Sequence, residues 1–243
     1  MTDAAEVLQN LKNYQAALEA QKMLIDAQNN VIHFEPYEKQ LEFYKKGSID
    51  RERLLMAANQ VGKTFCGSRE VSYHLTGLYP DWWPGHRFNR PIAVWCGSET
   101  ADVTRDTVQK NLVGEPAERS LWGTEAIPGD YLLETRMKRG TPDAIDTMTV
   151  RHVPSGGTSI CGFKSYDQGR KKWQGSKRDL VWMDEEPPED VYSEALTRTN
   201  AVPDGRLMLT FTPLSGISEV VAGFLDAEKA ALLASEGLKH VQQ

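Results

Sequence analysis

Residues 57–64, AANQVGKT, end in a Gly-Lys-Thr triplet that could hold the phosphates of a nucleotide. That chemistry needs inward-pointing backbone N–H groups at a helix N-terminus. It also needs a lysine for the β- and γ-phosphates and a Ser or Thr hydroxyl for Mg2+. Gly62, Lys63 and Thr64 supply these roles, with Asn59, Gln60 and Val61 forming the middle of the cradle. The usual first glycine, five residues before Gly62, is Ala57. That glycine mainly eases the turn out of the preceding strand, and alanine is its smallest replacement wherever φ stays negative. A bare Gly-Lys-Thr is a weak signal. Here an apolar run precedes it and a helical pattern follows, which is the required context.

A second element lies about 120 residues further on, where DLVWMDEEP puts Asp184 and Glu185 at the end of a buried strand. Asp184 would bind Mg2+ directly or through water, together with Thr64. Glu185 would orient and deprotonate the water that attacks the γ-phosphate, with Glu186 as the substitute base. Two acids can also simply end a strand in solvent. The pairing with a phosphate loop on an earlier strand favours the catalytic reading. Upstream, FEPYEKQLEFY offers Gln40, whose amide can pair with an adenine edge, and Tyr37, whose ring can stack on the base. Taken alone, that stretch reads better as an amphipathic helix with its aromatics facing a core, and its place just before the phosphate-loop strand is what favours adenine recognition. TFTP, residues 210–213, ends the next strand. The hydroxyls of Thr210 and Thr212, followed by Pro213, would sit beside the γ-phosphate and couple its presence to motion, although Thr is common in strands on propensity alone.

These groups need a scaffold. The chain of 243 residues is long enough for one large α/β domain or two small ones, and 40% hydrophobic and 26% charged residues are ordinary for a globular protein. No apolar run reaches the ~18 residues of a membrane span, and the acidic, polar N-terminus is unlike a signal peptide. Cys66, Cys96 and Cys161 lie far apart without metal-ligand spacing, which fits a reducing cytoplasm. The net charge of −6 means that any DNA contact must come from a local patch.

Residues 1–32 read as a helical extension with an uneven apolar stripe of Val7, Leu8, Leu11, Leu18 and Ile25, packed on the domain or docking a partner. Strands are expected at 53–59, 91–97, 179–186 and 205–213, with a hairpin at 148–154 and 158–166. Helices are expected at 63–76, 188–200 and 99–112, the last capped by Ser98. Residues 113–146 look irregular, and the Trp-rich loop 78–90 looks like a packed lid. Strands alternating with helices argue for a three-layer, mostly parallel α/β sheet over residues 33–217. Residues 218–243 read as a helix or linker.

With these elements together, the chain resembles the N-terminal ATPase domain of the large terminase, the motor that packs DNA into procapsids of tailed bacteriophages and herpesviruses. PYEKQ matches its adenine motif, AANQVGKT its deviant phosphate loop, LVWMDEE its acidic strand and TFTP its coupling motif. The stretches SYDQGRKKWQGSKR and LTGLYPDWWPGHRF are also similar to phage terminases. The resemblance covers roughly residues 33–220. It implies an additional-strand, RecA-like P-loop sheet and ATP hydrolysis with Mg2+. It further implies self-association into a ring, translocation of double-stranded DNA, and portal protein and small terminase subunit as partners in the host cytoplasm, without a membrane. The family's RNase H-like nuclease domain would not fit after residue 218, so ATP hydrolysis without DNA cleavage is expected. Two departures stand out. Asn59 and Gln60 occupy positions where many terminases carry an arginine, and Gln174-Gly175 stands where Arg-Gly is frequent. A cation for the developing γ-phosphate charge is still required, and Arg170 is the candidate, followed by Arg178 and Arg151.

The segment FKSYDQGRKKWQGSKR carries Lys164, Lys171, Lys172, Lys177 and Arg178 with Tyr166 and Trp173 interleaved. It could track a phosphate backbone or meet a neighbouring subunit, or be a solvated loop. Two rival readings remain at this stage. A superfamily 2 helicase shares the glutamine motif, phosphate loop and Asp-Glu, but usually has Ser-Ala-Thr where this chain has TFTP. A non-hydrolysing nucleotide-binding module is disfavoured by intact Lys63, Thr64, Asp184 and Glu185.

Overall fold

Apolar strands and helices alternate along most of the chain. After α1 (residues 7–18) and α2 (Glu38–Lys46) come β1 (Glu52–Met56), α3 (Lys63–Thr76), β2 (Ala93–Ser98) and α4 (residues 101–113). Next are β3 (Leu132–Met137), β4 (Ile145–His152), β5 (Gly157–Ser165) and β6 (Leu180–Asp184). Then follow α5 (Glu189–Asn200), β7 (Arg206–Phe211) and α6 (residues 219–226). The computed structural model describes residues 7–18, 34–213 and 218–226. Ile25 of the expected N-terminal stripe and most of the C-terminal tail lie outside the described residues. Within α1, Val7, Leu8, Leu11 and Leu18 are exposed.

The seven strands form one sheet in the order β1-β7-β6-β2-β5-β4-β3. β1, β7, β6, β2 and β5 run parallel, and β4 and β3 extend the sheet antiparallel. β7 is therefore inserted between the strand that feeds the phosphate loop and the strand that ends in Asp184. This is the additional-strand arrangement, and it brings the carboxyl ends of β1, β7 and β6 side by side. Open parallel sheets present their ligand sites at that edge.

Strand alternation feeds two cores, one on each face. On one face Leu180, Trp182 and Met208 join Cys66, Val71, Tyr73 and Leu75 of α3. On the other, Val181, Met183, Leu207, Leu209 and Phe211 join Val191 and Ala195 of α5 and Val220 and Val221 of α6. All residues of β6 and β7 are buried, as expected of strands covered on both faces. The result is three layers. The 78–90 loop closes the α3 face: the Trp83 ring packs 4.7 Å from Tyr44, and its Nε1 donates to His86 O at 2.9 Å.

Two local expectations are corrected. Residues 113–146 contain strand β3, an edge strand whose burial is patchy, so its sequence LLETRM carries little alternation. The cap of α4 is Thr100, whose Oγ1 accepts from Val103 N at 3.2 Å. Ser98 cannot serve because it still pairs with Ser165 at the end of β2. α4 is also not uniform: a π-helical stretch, Thr104–Gln109, separates Ala101–Val103 from Lys110–Val113.

Candidate nucleotide site

The loop between β1 and α3 leaves the strand without needing glycine at position 57. Ala57 N still donates to Phe211 O at 3.4 Å, continuing the β1–β7 ladder. The left-handed residues of the loop are Gln60 (φ 62°) and Gly62 (φ 81°). Gly62 caps α3, and a Cβ there would fall 3.2 Å from Nε2 of Gln40. That amide donates to Gly62 O at 3.2 Å, while its Oε1 accepts from Tyr37 N at 3.0 Å. Gln40 is thus buried and tied to the loop, whereas Tyr37 is 73% exposed beside it.

Lys63 folds back over the loop, donating to Ala58 O at 2.8 Å and to Thr212 Oγ1 at 2.7 Å. Thr212 Oγ1 in turn lies 2.7 Å from Asn59 Oδ1 and 3.0 Å from Ala57 O, so it fastens the end of β7 to the loop. Thr64 Oγ1 sits 3.1 Å from both carboxylate oxygens of Asp184. Thr210 Oγ1 donates to Asp184 Oδ1 at 2.6 Å and accepts from Trp182 Nε1 at 2.8 Å. Burial pushes the Asp184 carboxyl up to about 7, against the hydroxyls of Thr210 and Thr64 that favour its charged form. Among the described residues, no three His, Cys, Asp or Glu side chains converge to cage a metal. One buried carboxyl beside a hydroxyl suits a hard divalent cation that completes its shell with water and phosphate oxygens. The donor set therefore fits Mg2+.

Glu185 follows directly with φ 62°, a conformation uncommon for non-glycine residues and concentrated at functional sites. Its N–H donates to Thr210 O at 3.0 Å. Burial raises its carboxyl above the ordinary range, Lys63 opposes this, and Glu99 adds to it. A half-buried carboxyl tuned upward in this way suits a general base. Beneath this turn, the Tyr166 hydroxyl lies 2.9 Å from Asp184 O, 3.1 Å from Glu185 O and 3.3 Å from Gly97 O.

The basic segment is tied down rather than loose. Trp173 is fully buried, and Arg198 Nη1 donates to Gly175 O at 2.6 Å. Arg170 Nε donates to Glu194 Oε2 on α5 at 2.9 Å, so within this chain Arg170 is not brought to the phosphate loop. Lys164 Nζ and the Arg178 guanidinium lie 4.4 and 4.1 Å from the Trp95 ring centre. Lys171, Lys172 and Lys177 are exposed, as are Arg151 on β4 and Pro213 at the end of TFTP. Glu186 is only partly buried.

Sequence reasoning placed Tyr166 only in the basic segment and missed both its contact with the acidic turn and a buried network behind the loop. Arg53 of β1 pairs with Glu70 of α3 at 2.5 Å, and His74 Nε2 lies 3.2 Å from the same carboxylate. His74 Nδ1 lies 2.9 Å from Tyr79 OH. The available signals were a charge inside the apolar run RLLM and the i, i+4 spacing of Glu70 and His74. For the contact of Tyr166 with the acidic turn there was none.

The family described as "Terminase large subunit, T4likevirus-type, N-terminal" matches residues 54–238. The terminase large subunit of Salmonella phage P22 is 41% identical over 211 residues, which span 80% of this chain and 42% of the relative. This chain thus corresponds to less than half the length of that relative. Among solved structures, the large terminase ATPase domain of Thermus phage P74-26 superposes with a TM-score of 0.52 at 21% identity, covering 78% of this chain and 69% of that one. A point variant of the same domain gives 0.54. At this identity the likeness establishes the fold, a RecA-like P-loop sheet.

Proposed function

The chain belongs to the terminase large-subunit family, and from that premise we propose that residues 33–217 form an ATP-hydrolysing motor that drives double-stranded DNA into a phage procapsid. The observation that carries this reading is the junction at the sheet edge. Thr64 at the start of α3 meets Asp184 at the end of β6, with Lys63 bonded to Thr212 at the end of β7. In a nucleotide complex Gln40 and Tyr37 would face the adenine. Lys63 would exchange Ala58 O and Thr212 for phosphate oxygens. Thr64 and ionised Asp184 would hold Mg2+, which when bound offsets charge on the β- and γ-phosphate oxygens. Glu185 would take the proton of the attacking water, yielding ADP and phosphate.

Because Thr212 bonds both Lys63 and Asn59, its partners would change as phosphate arrives and leaves. That gives TFTP a physical coupling role. Among the described residues Lys63 is the cation bonded within the site, and the second cation would come from a neighbouring subunit in a ring on the portal. Lys164, Lys171, Lys172, Lys177 and Arg178 would meet DNA phosphates or that neighbour, and the small terminase subunit would deliver the DNA. The family match argues against the helicase reading.

The test is ATP binding and phosphate release with and without duplex DNA, for the wild type and Lys63→Ala. Wild-type turnover that Lys63→Ala abolishes is expected. Turnover unaffected by losing Lys63 contradicts the assignment.

A further inference from the structure

Glu185 must hold its carboxylate toward the phosphate while its backbone sits in a left-handed conformation, at φ 62°. Its N–H is fixed by Thr210 O at 3.0 Å, which anchors one side of the turn to β7. The other side is reached from an unrelated part of the chain. Tyr166 follows β5 and is buried, and its hydroxyl approaches the carbonyls of Asp184, Glu185 and Gly97 at 2.9, 3.1 and 3.3 Å. A hydroxyl has one proton, so it serves these carbonyls as a shared donor. Phenylalanine would fill the same space and leave them without that donor, so the hydroxyl has a role that packing does not explain.

We infer that Tyr166 is a positioning residue for hydrolysis, its hydroxyl holding the Asp184–Glu185 turn so that the Glu185 carboxylate points at the attacking water. The inference rests on the ATPase reading given above and extends it. The same residue opens the basic segment. Tyr166 is 5.8 Å ring to ring from buried Trp173, whose Nε1 donates to Ser165 O at 3.3 Å. A Cβ on Gly97 would fall 2.8 Å from Trp173 Cη2, so this packing leaves little slack. Arg170 and Arg198 tie the segment onward to α5 through Glu194 and Gly175. The exposed lysines of 171–177 therefore sit on a strap whose buried end packs under the Asp184–Glu185 turn.

Tyr166→Phe keeps the ring packing and removes only the hydroxyl, so it is the informative variant. Steady-state phosphate release should show kcat lower by about tenfold or more, with KM for ATP within about twofold, because misplacing a reacting group slows chemistry more than binding. A Glu185→Gln control separates the two levels of the account. If wild type and Glu185→Gln turn over alike, the ATPase reading fails. If Glu185→Gln is impaired and Tyr166→Phe matches wild type, the positioning role alone fails. A second measurement needs no turnover. Hydrogen exchange at the Glu185 amide, bonded to Thr210 O, should quicken by about tenfold or more in Tyr166→Phe as the turn loosens. Unchanged exchange there overturns the inference even if the protein never hydrolyses ATP.

Discussion

Gly67 of α3 lies so close to the indole of Trp182 on β6 that a Cβ at position 67 would fall 2.5 Å from Cε2. That close approach sets the first turn of α3 against β6. One turn away, Thr64 Oγ1 reaches the Asp184 carboxylate at 3.1 Å across 120 residues of sequence. Gly67→Ala should destabilise the fold by about 1–3 kcal/mol, the range for overpacking a filled core. It should also weaken Mg-nucleotide binding by pushing Thr64 away. Urea unfolding and nucleotide titration check both effects, and an unperturbed variant would deny the tight packing its role.

The missing first glycine of the phosphate loop is neutral in this geometry. Ala57 is not among the residues with positive φ, and its N–H still continues the sheet. Ala57→Gly should leave nucleotide affinity unchanged and lower stability by roughly 0.5–1 kcal/mol through added chain entropy. A clear gain in affinity on restoring glycine would mean that the loop is impaired.

Much of this was legible in advance. The phosphate loop and acidic strand declare themselves because each is a run of adjacent residues, and helix 63–76 appears with the bounds expected. What stayed hidden depends on contacts between distant segments. Nothing local in LLETRM marks an edge strand, and no spacing rule links Tyr166 to Glu185 or Gly67 to Trp182. The left-handed backbone at Gln60 and Glu185 was also invisible, because neither residue type advertises positive φ. Arg170 was placed near the site by its position in sequence, whereas Glu194 on α5 holds it.

The buried network behind the loop predicts an acid limb of stability. Burial opposes ionisation of Glu70, but Arg53 and His74 overcome it and hold the carboxyl at about 2, below its usual 4.5. A carboxyl depressed on folding contributes stability that is complete above its unfolded value and lost as pH falls toward its folded one. His74 acts in the same direction: burial lowers its pKa, so acid protonates the unfolded chain first. Unfolding midpoints should therefore fall as pH drops from about 6.5 toward 2. Glu70→Gln should flatten the lower part of that limb and destabilise the protein at pH 7 by about 3 kcal/mol or more, because Arg53 loses its buried partner. A limb unchanged in Glu70→Gln would exclude the network as its source.

If the exposed lysines of the basic segment contact phosphates, their loss should act alike on all sequences. Lys172→Ala and Lys177→Ala together should weaken duplex DNA binding. The slope of log affinity against log salt should fall by about one per phosphate contact removed. Fluorescence anisotropy at several salt concentrations measures this. An unchanged slope would assign these lysines to a protein neighbour or to solvent.

The most direct test of the whole account is phosphate release by the wild type and Glu185→Gln at saturating Mg-ATP. Removing the proposed general base should lower turnover by about a hundredfold or more while nucleotide binding persists. Equal rates in the two proteins would contradict the claim that Asp184 and Glu185, set against Lys63 and Thr64, form a hydrolytic site.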